Sequence, residues 1–273
     1  MTLPDVQSIP DTRGIHIDEV GVSGIRYPVS VFEADGGRQE TIASFSLSAY
    51  LSAHHKGSHL SRFVEVLDVY GRELTPLSIP KILIALQDRL ESRKALIKAA
   101  FPFFVRRYAP VSGASALVDY DCDINASIDA ENVSIRIATR VPVTSVCPCS
   151  KAISDYGAHN QRGYLTISAI LAAEYAIDSS PLWMEDLIDA AEASASSPVF
   201  PLLKRSDERY VTMAGYDQPV FVEDMVRGVA ELLRIDPRIS KFSVEAVNDE
   251  SIHNHGAFAR LFWPSNYSEE FGI

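Results

Sequence analysis

The segment Val141-Pro-Val-Thr-Ser-Val-Cys-Pro-Cys-Ser-Lys151 sets two of the chain's three cysteines one residue apart, and His159 follows ten positions after the second. A thiolate is both a nucleophile and a soft metal ligand, and imidazole carries protons near neutral pH, so this neighbourhood suits metal- or thiolate-dependent chemistry. In a strand, Cys147 and Cys149 would share a face. Lys151, two positions on, would favour the thiolate. The plainer alternative makes one or both cysteines small core residues, since free cysteine is often buried. His159 lies in the polar loop Tyr156-Gly-Ala-His-Asn-Gln-Arg-Gly163. If the flanking strands pair, that loop returns near Cys149 and gives His159 a proton-transfer role; otherwise it is a solvated histidine.

A second cluster, Asn248-Asp-Glu-Ser-Ile-His-Asn-His255, packs carboxylates and two histidines into eight residues. With a thiolate, Asp249, Glu250, His253 and His255 offer a donor set suited to Zn²⁺ or Fe²⁺; without the thiolate it suits Mn²⁺. A charged surface turn is the alternative. In Leu202-Leu-Lys-Arg-Ser-Asp-Glu-Arg-Tyr-Val211, read as a loop, Glu208 is a further candidate ligand or part of a solvated charge run. Glu223 begins an apolar helical stripe, where the helix dipole favours a carboxylate in any case. It could also accept both N–H donors from a purine or pterin edge. In His55-Lys-Gly-Ser-His-Leu-Ser-Arg62, Lys56, His59 and Arg62 precede a helix and could hold phosphates, or form an ordinary helix start.

The elements that must position these groups follow from periodicity. Tyr27 to Glu33 and Thr41 to Leu51 read as strands joined at Gly36-Gly37. Leu60 to Val69 reads as a helix. A second helix begins at Ser78-Ile-Pro80 and runs through Leu90, with proline in its first turn. Ala95 to Arg107 and Ala116 to Ser127 complete a ββααββ order. Val133 to Thr144 alternates as a strand, Gln161 to Leu171 is another, and Trp183 to Ala193 is helical. Val222, Met225, Val226, Val229, Leu232 and Leu233 form the apolar helical stripe. Ile239 to Val247 and Ala257 to Trp263 close the second ββααββ order. The expected division is an N-terminal arm at 1–26, a first module at 27–129 and a second at 130–273.

At 273 residues the chain can bury a substantial core, and no apolar run approaches the length of a membrane-spanning helix. The N-terminus has no secretory signal character, and an odd cysteine count argues against a disulfide framework; a cytoplasmic location is expected. A net charge of −11 makes nucleic acid an unsuitable main partner.

Taken together, Thr144–Lys151, Tyr156–Gly163, Lys204–Glu208, Phe221-Val-Glu-Asp224, Glu250–His255, Asp5-Val-Gln7 with Asp11-Thr-Arg13, and Lys56–Phe63 resemble the GTP cyclohydrolase IB family. The resemblance spans nearly the whole chain; Leu60 stands where methionine is expected, a volume-conserving change. It implies an α+β, bimodular tunnelling fold: two ββααββ units, each an antiparallel sheet with helices on one face, assembled as a homotetramer. The implied reaction converts GTP to 7,8-dihydroneopterin triphosphate and formate, feeding folate synthesis, with Mn²⁺, or Zn²⁺ or Fe²⁺, as cofactor. By motif, Cys147, Glu208, Glu250 and His253 are implied metal ligands. Cys147, Cys149 and His159 are implied catalytic groups, Glu223 the guanine anchor, and Lys56, His59 and Arg62 the triphosphate site. Two alternatives remain: a nitrile reductase of queuosine synthesis on the same fold, and a non-catalytic metal-binding protein.

Overall fold

In the computed structural model, residues 5–7, 9–173 and 181–264 are described. The first four residues of the expected arm and the last nine of the expected second module lie outside that set. The chain forms two compact units. One holds the residues up to Phe101 together with Asp123–Arg136; the other holds Pro102–Cys122, Ile137–Ala172 and the residues from Leu182 onward.

The first unit opens with β1 (Ile17–Phe32), antiparallel to β2 (Arg38–Leu51). β1 begins ten residues before the expected Tyr27. Its first half is exposed and lacks the buried alternation that marks a strand in sequence, so only pairing with β2 reveals it. Gly21 sits within this irregular stretch, where a Cβ would come 1.9 Å from the Leu47 carbonyl oxygen, closer than any side chain tolerates. α1 (Leu60–Tyr70) ends where Gly71 N–H donates to the Leu67 carbonyl at 2.7 Å. The short β3 (Glu73–Leu74) pairs parallel with β1, and α2 (Ile79–Leu90) carries Pro80 in its first turn. β4 (Lys94–Tyr108) pairs antiparallel with β2. On the strands, Ala43, Phe45, Leu47, Ala49, Ala95, Ile97 and Ala99 are buried at alternate positions. Phe63, Val66 and Leu67 of α1 and Ile79, Ile82, Leu83 and Leu86 of α2 cover that face.

β5 (Ser115–Asp129) and β6 (Asn132–Val146), like β4, contribute residues to both units. The second unit continues with α3 (Pro148–Ile153), β7 (Asn160–Leu171), α4 (Met184–Ala193) and β8 (Ser197–Pro198). α5 (Arg205–Asp217), α6 (Val222–Leu233), β9 (Ile239–Asn248) and β10 (Ala257–Trp263) complete it. Its strand order is β10-β9-β7-β6, with β8 paired to β6. The apolar stripe of α6 (Val222, Met225, Val226, Val229, Leu233) is buried, and α6 packs against α4, β9 and β10. The buried faces of β7 (Leu165, Ile167, Ala169) and β9 (Phe242, Val244, Ala246) complete this core.

The ββααββ order therefore stands in both halves, with α3, α5, β3 and β8 added to it. α5 replaces an expected loop. Few of its residues are apolar and only Asp207 and Gly215 are buried, so it has no stripe to read. Asp207 sets its start instead: Oδ2 accepts from the Lys204 backbone N–H at 2.8 Å, supplying a partner just ahead of the first turn. Its other oxygen accepts from the Val111 and Ser112 backbone N–H groups, both at 2.8 Å, and Ser112 Oγ donates to Oδ2 at 2.6 Å. Burial pushes the Asp207 carboxyl up, but these four donors outweigh it and hold the group well below the usual carboxylate range.

Candidate active site

The second unit carries an open cavity of about 480 Å³. Ser145 and Cys147 line it from the end of β6, Gln161 from β7, and Val220 to Glu223 from the start of α6. Asn248, Glu250, His255 and Phe258 line it from the end of β9, the following loop and β10.

Cys147 is the residue before α3, in extended conformation, and its Sγ accepts from the Ser150 N–H at 3.4 Å. A proline at the next position suits a helix start, because its missing N–H would have had no partner there. Cys149 lies inside α3 and is exposed. The expectation that the two thiols share a face is thus overturned, because on a helix residues two apart do not. The loop carrying His159 does return, and it meets Cys147: Cys147 N–H donates to the His159 carbonyl at 3.1 Å, and His159 N–H to Ser150 Oγ at 3.1 Å. Lys151 turns away, its Nζ 2.5 Å from the Tyr216 carbonyl oxygen and 4.3 Å from the Tyr216 ring centre, so it does not serve the thiol as expected.

The His159 imidazole joins a chain of polar groups that sequence reading missed. Nδ1 is 2.9 Å from Gln161 Oε1 and 3.4 Å from Ser251 Oγ. Gln161 Nε2 and Asn248 Nδ2 each donate to Ser145 Oγ at 3.2 Å, and Ser145 donates to the Val220 carbonyl at 3.0 Å. Ser145, Gln161 and Asn248 are buried. A signal for them exists: each sits in phase with the apolar face of its strand, where a polar residue needs a partner. Gly163 makes room for the cluster, since a Cβ there would lie 2.3 Å from Asn248 Oδ1.

Glu223 and Asp224 divide the work at the start of α6. Asp224 Oδ2 accepts from the Phe221 N–H at 3.1 Å and caps the helix. The exposed Glu223 carboxylate has no hydrogen-bond or ion-pair partner among the described residues, and it faces the cavity. The dipole reading of Glu223 therefore leaves an acceptor to spare.

Of the candidate ligands, Cys147 and Glu250 line this cavity; Glu208, exposed on α5, and His253 do not. His255 does line it, and His253 stacks on it with ring centres 5.0 Å apart. Among the described residues no group of three or more His, Cys, Asp or Glu is close enough to hold an ion. The donor types around the cavity nonetheless fit a divalent cation: thiol from Cys147, carboxylate from Glu250 and imidazole from His255.

The first unit has its own cavity, about 150 Å³, lined by His55, Gly57, Ser58, His59 and Arg62. Arg62 donates to the Arg89 carbonyl at 2.8 Å and lies 4.0 Å from Glu91, and His59 Nε2 is 3.4 Å from Asp5. Lys56 is exposed.

A family profile described as type I GTP cyclohydrolase FolE2 matches residues 3–259. GTP cyclohydrolase FolE2 of Methylobacillus flagellatus is 47% identical over 259 residues, covering 95% of each chain. The protein of the same name from Nitrosomonas eutropha is 48% identical over 260 residues, again covering 95% of each. Among solved structures, uricase from Arthrobacter globiformis superposes with a TM-score of 0.53 at 8% identity, covering 90% of this chain and 92% of its own. A mutant urate oxidase from Bacillus sp. TB-90 superposes with a TM-score of 0.54 at 10% identity, covering 90% and 99%. At such identity the likeness bears on fold alone, and the fold is the tunnelling fold.

Proposed function

The chain belongs to the type I GTP cyclohydrolase FolE2 family and is an enzyme of that class; we propose that it hydrolyses GTP at C8 to 7,8-dihydroneopterin triphosphate and formate, the first step of tetrahydrofolate synthesis. The observation that carries this reading is the Glu223 carboxylate, without a partner among the described residues, in the same cavity as Cys147, Glu250 and His255. A single carboxylate spans guanine N1–H and the 2-amino group, so Glu223 would anchor the base and fix where C8 lies. His159 would deliver a proton to the ring nitrogen that leaves C8 as the imidazole opens, and again when formate departs. Cys147 and Cys149 complete the catalytic set. Lys56, His59 and Arg62, supplied by a neighbouring chain, would hold the triphosphate; Arg62 would then exchange its contact with Glu91 for phosphate oxygens.

Cys147, Glu208, Glu250 and His253 are the proposed ligands of a divalent cation, Mn²⁺ or alternatively Zn²⁺ or Fe²⁺, with His255 beside them. When bound, the ion would supply Lewis acidity and lower the pKa of the attacking water. The narrower IB label, the division into modules 27–129 and 130–273 after an arm at 1–26, assembly as a homotetramer and a cytoplasmic location belong to the same proposal. The excess of acidic groups supports a small-molecule partner over nucleic acid. The relatives' names favour ring opening over nitrile reduction.

The test is to strip divalent ions with a chelator, add back Mn²⁺, Fe²⁺ or Zn²⁺ singly, and assay GTP for formate and for pterin fluorescence after oxidation. Product with at least one ion is expected. No product with any of them would reject the assignment.

A further inference from the structure

The buried polar chain around Ser145 specifies which nitrogen of His159 carries the proton. Ser145 has a single hydroxyl hydrogen. The Val220 carbonyl, 3.0 Å away, is the acceptor for it. Ser145 Oγ must then accept from both amides that approach it, Gln161 Nε2 and Asn248 Nδ2 at 3.2 Å each. With its NH₂ turned to Ser145, Gln161 presents its carbonyl oxygen to His159 Nδ1 at 2.9 Å. An oxygen without a hydrogen can only accept, so Nδ1 must be the protonated nitrogen of the neutral ring. Ser251 Oγ, at 3.4 Å from the same nitrogen, offers a second and longer acceptor. The reverse orientation of the Gln161 amide would draw the serine hydrogen away from Val220 and leave that half-buried carbonyl without its partner. Ser145 (0% exposed) and Gln161 (6%) are themselves buried where they meet.

We propose that Gln161 and Ser145 are positioning residues that lock His159 in its Nδ1–H tautomer, leaving Nε2 as the nitrogen that exchanges protons with the substrate. The Val220 carbonyl lies three residues before Glu223, and Val220 N–H donates to the Val146 carbonyl at 3.1 Å, next to Cys147. One serine hydroxyl thus ties the backbone that carries the base anchor to the side chain that carries the proton. The group proposed to hold guanine and the group proposed to protonate it keep their spacing through this one chain of bonds. The catalytic part of the inference rests on the proposed role of His159; the tautomer does not.

Two measurements separate these parts. Long-range ¹⁵N–¹H spectra of the intact protein labelled with ¹⁵N-histidine, with the His159 signals assigned from a His159→Gln variant, should show the Nδ1–H tautomer. An Nε2–H ring would overturn the proposal whatever the enzyme does. Gln161→Leu removes the acceptor, so both tautomers should appear and kcat should fall about 10-fold or more while KM for GTP stays within about two-fold. Gln161→Glu keeps an oxygen facing Nδ1 and should retain the single tautomer, although its second oxygen takes the serine hydrogen from Val220; its kcat should fall less than that of Gln161→Leu, which distinguishes an acceptor role from loss of packing. Equal kcat for Gln161→Leu and the unaltered protein, or equal loss in both variants, would overturn the positioning role. Full activity in His159→Gln would instead remove His159 from the reaction and leave the tautomer standing.

Discussion

Replacing Glu223 by glutamine is the sharpest perturbation of the proposed base site. The side chain keeps its length, so the start of α6 is undisturbed; capping there belongs to Asp224. What changes is the pattern of donors and acceptors. The carboxylate offers an acceptor to guanine N1–H and another to the 2-amino group, and each charge-assisted bond contributes about 1.5–3 kcal/mol. Glutamine keeps one acceptor and turns an NH₂ toward the other donor. Since Glu223 is exposed, the lower part of that range applies, and the expected loss is about 2–4 kcal/mol, or roughly 30- to 1000-fold in KM for GTP. Inosine triphosphate lacks the 2-amino group and so forfeits one bond. The unaltered enzyme should prefer GTP to it by about 10-fold or more in kcat/KM, and Glu223→Gln should largely erase that preference. Steady-state assays of both nucleotides, read by formate release, give both numbers. Asp224→Ala is the comparison, since Asp224 bonds the Phe221 N–H and lies 3.5 Å from Arg227; it should cost about 0.5–2 kcal/mol of stability with a much smaller change in KM. An unchanged KM in Glu223→Gln, or an unchanged ratio between the two nucleotides, would refute the anchoring argument.

Other consequences can be checked separately. Asp207 is depressed below its ordinary value of 3.8, so its contribution to stability is present in full above that value and is lost as pH falls through the lower folded one. Asp207→Asn should therefore melt lower at pH 7, and its melting temperature should fall less steeply than the parent's below about pH 4 in thermal scans. Gly163→Ala sets a Cβ against Asn248 Oδ1 and should destabilise by about 1–3 kcal/mol in denaturant titrations while disturbing the His159 signals. Tyr120 donates to Glu192 at 2.7 Å, and Arg107 lies 2.9 Å from the same carboxylate, whose pKa burial raises above the ordinary 4.5. Tyr120→Phe strips one partner from this half-buried group and should cost about 1–3 kcal/mol without altering KM for GTP.

Much of this molecule was legible in its sequence because much of it follows local rules. Alternation along β2, β6, β7 and β9 marks strands buried on one face, and the Val222–Leu233 stripe marks a helix with a buried side; both periods survive folding unchanged. The candidate chemistry was legible too, as residue types: thiols at 147 and 149, imidazole at 159, a carboxylate at 223. Tertiary structure decided what had no local period. α5 exists because a buried aspartate closes its first turn, and the exposed half of β1 exists because β2 pairs with it. Cys149 parts from Cys147 because α3 interrupts the strand. Ser145 and Asn248, 103 residues apart, meet because the pairing of β6, β7 and β9 brings their buried faces into line. Strand register is a property of partners rather than of either strand, so the hydrogen bonds that orient His159 could be stated only once the chain had closed on itself.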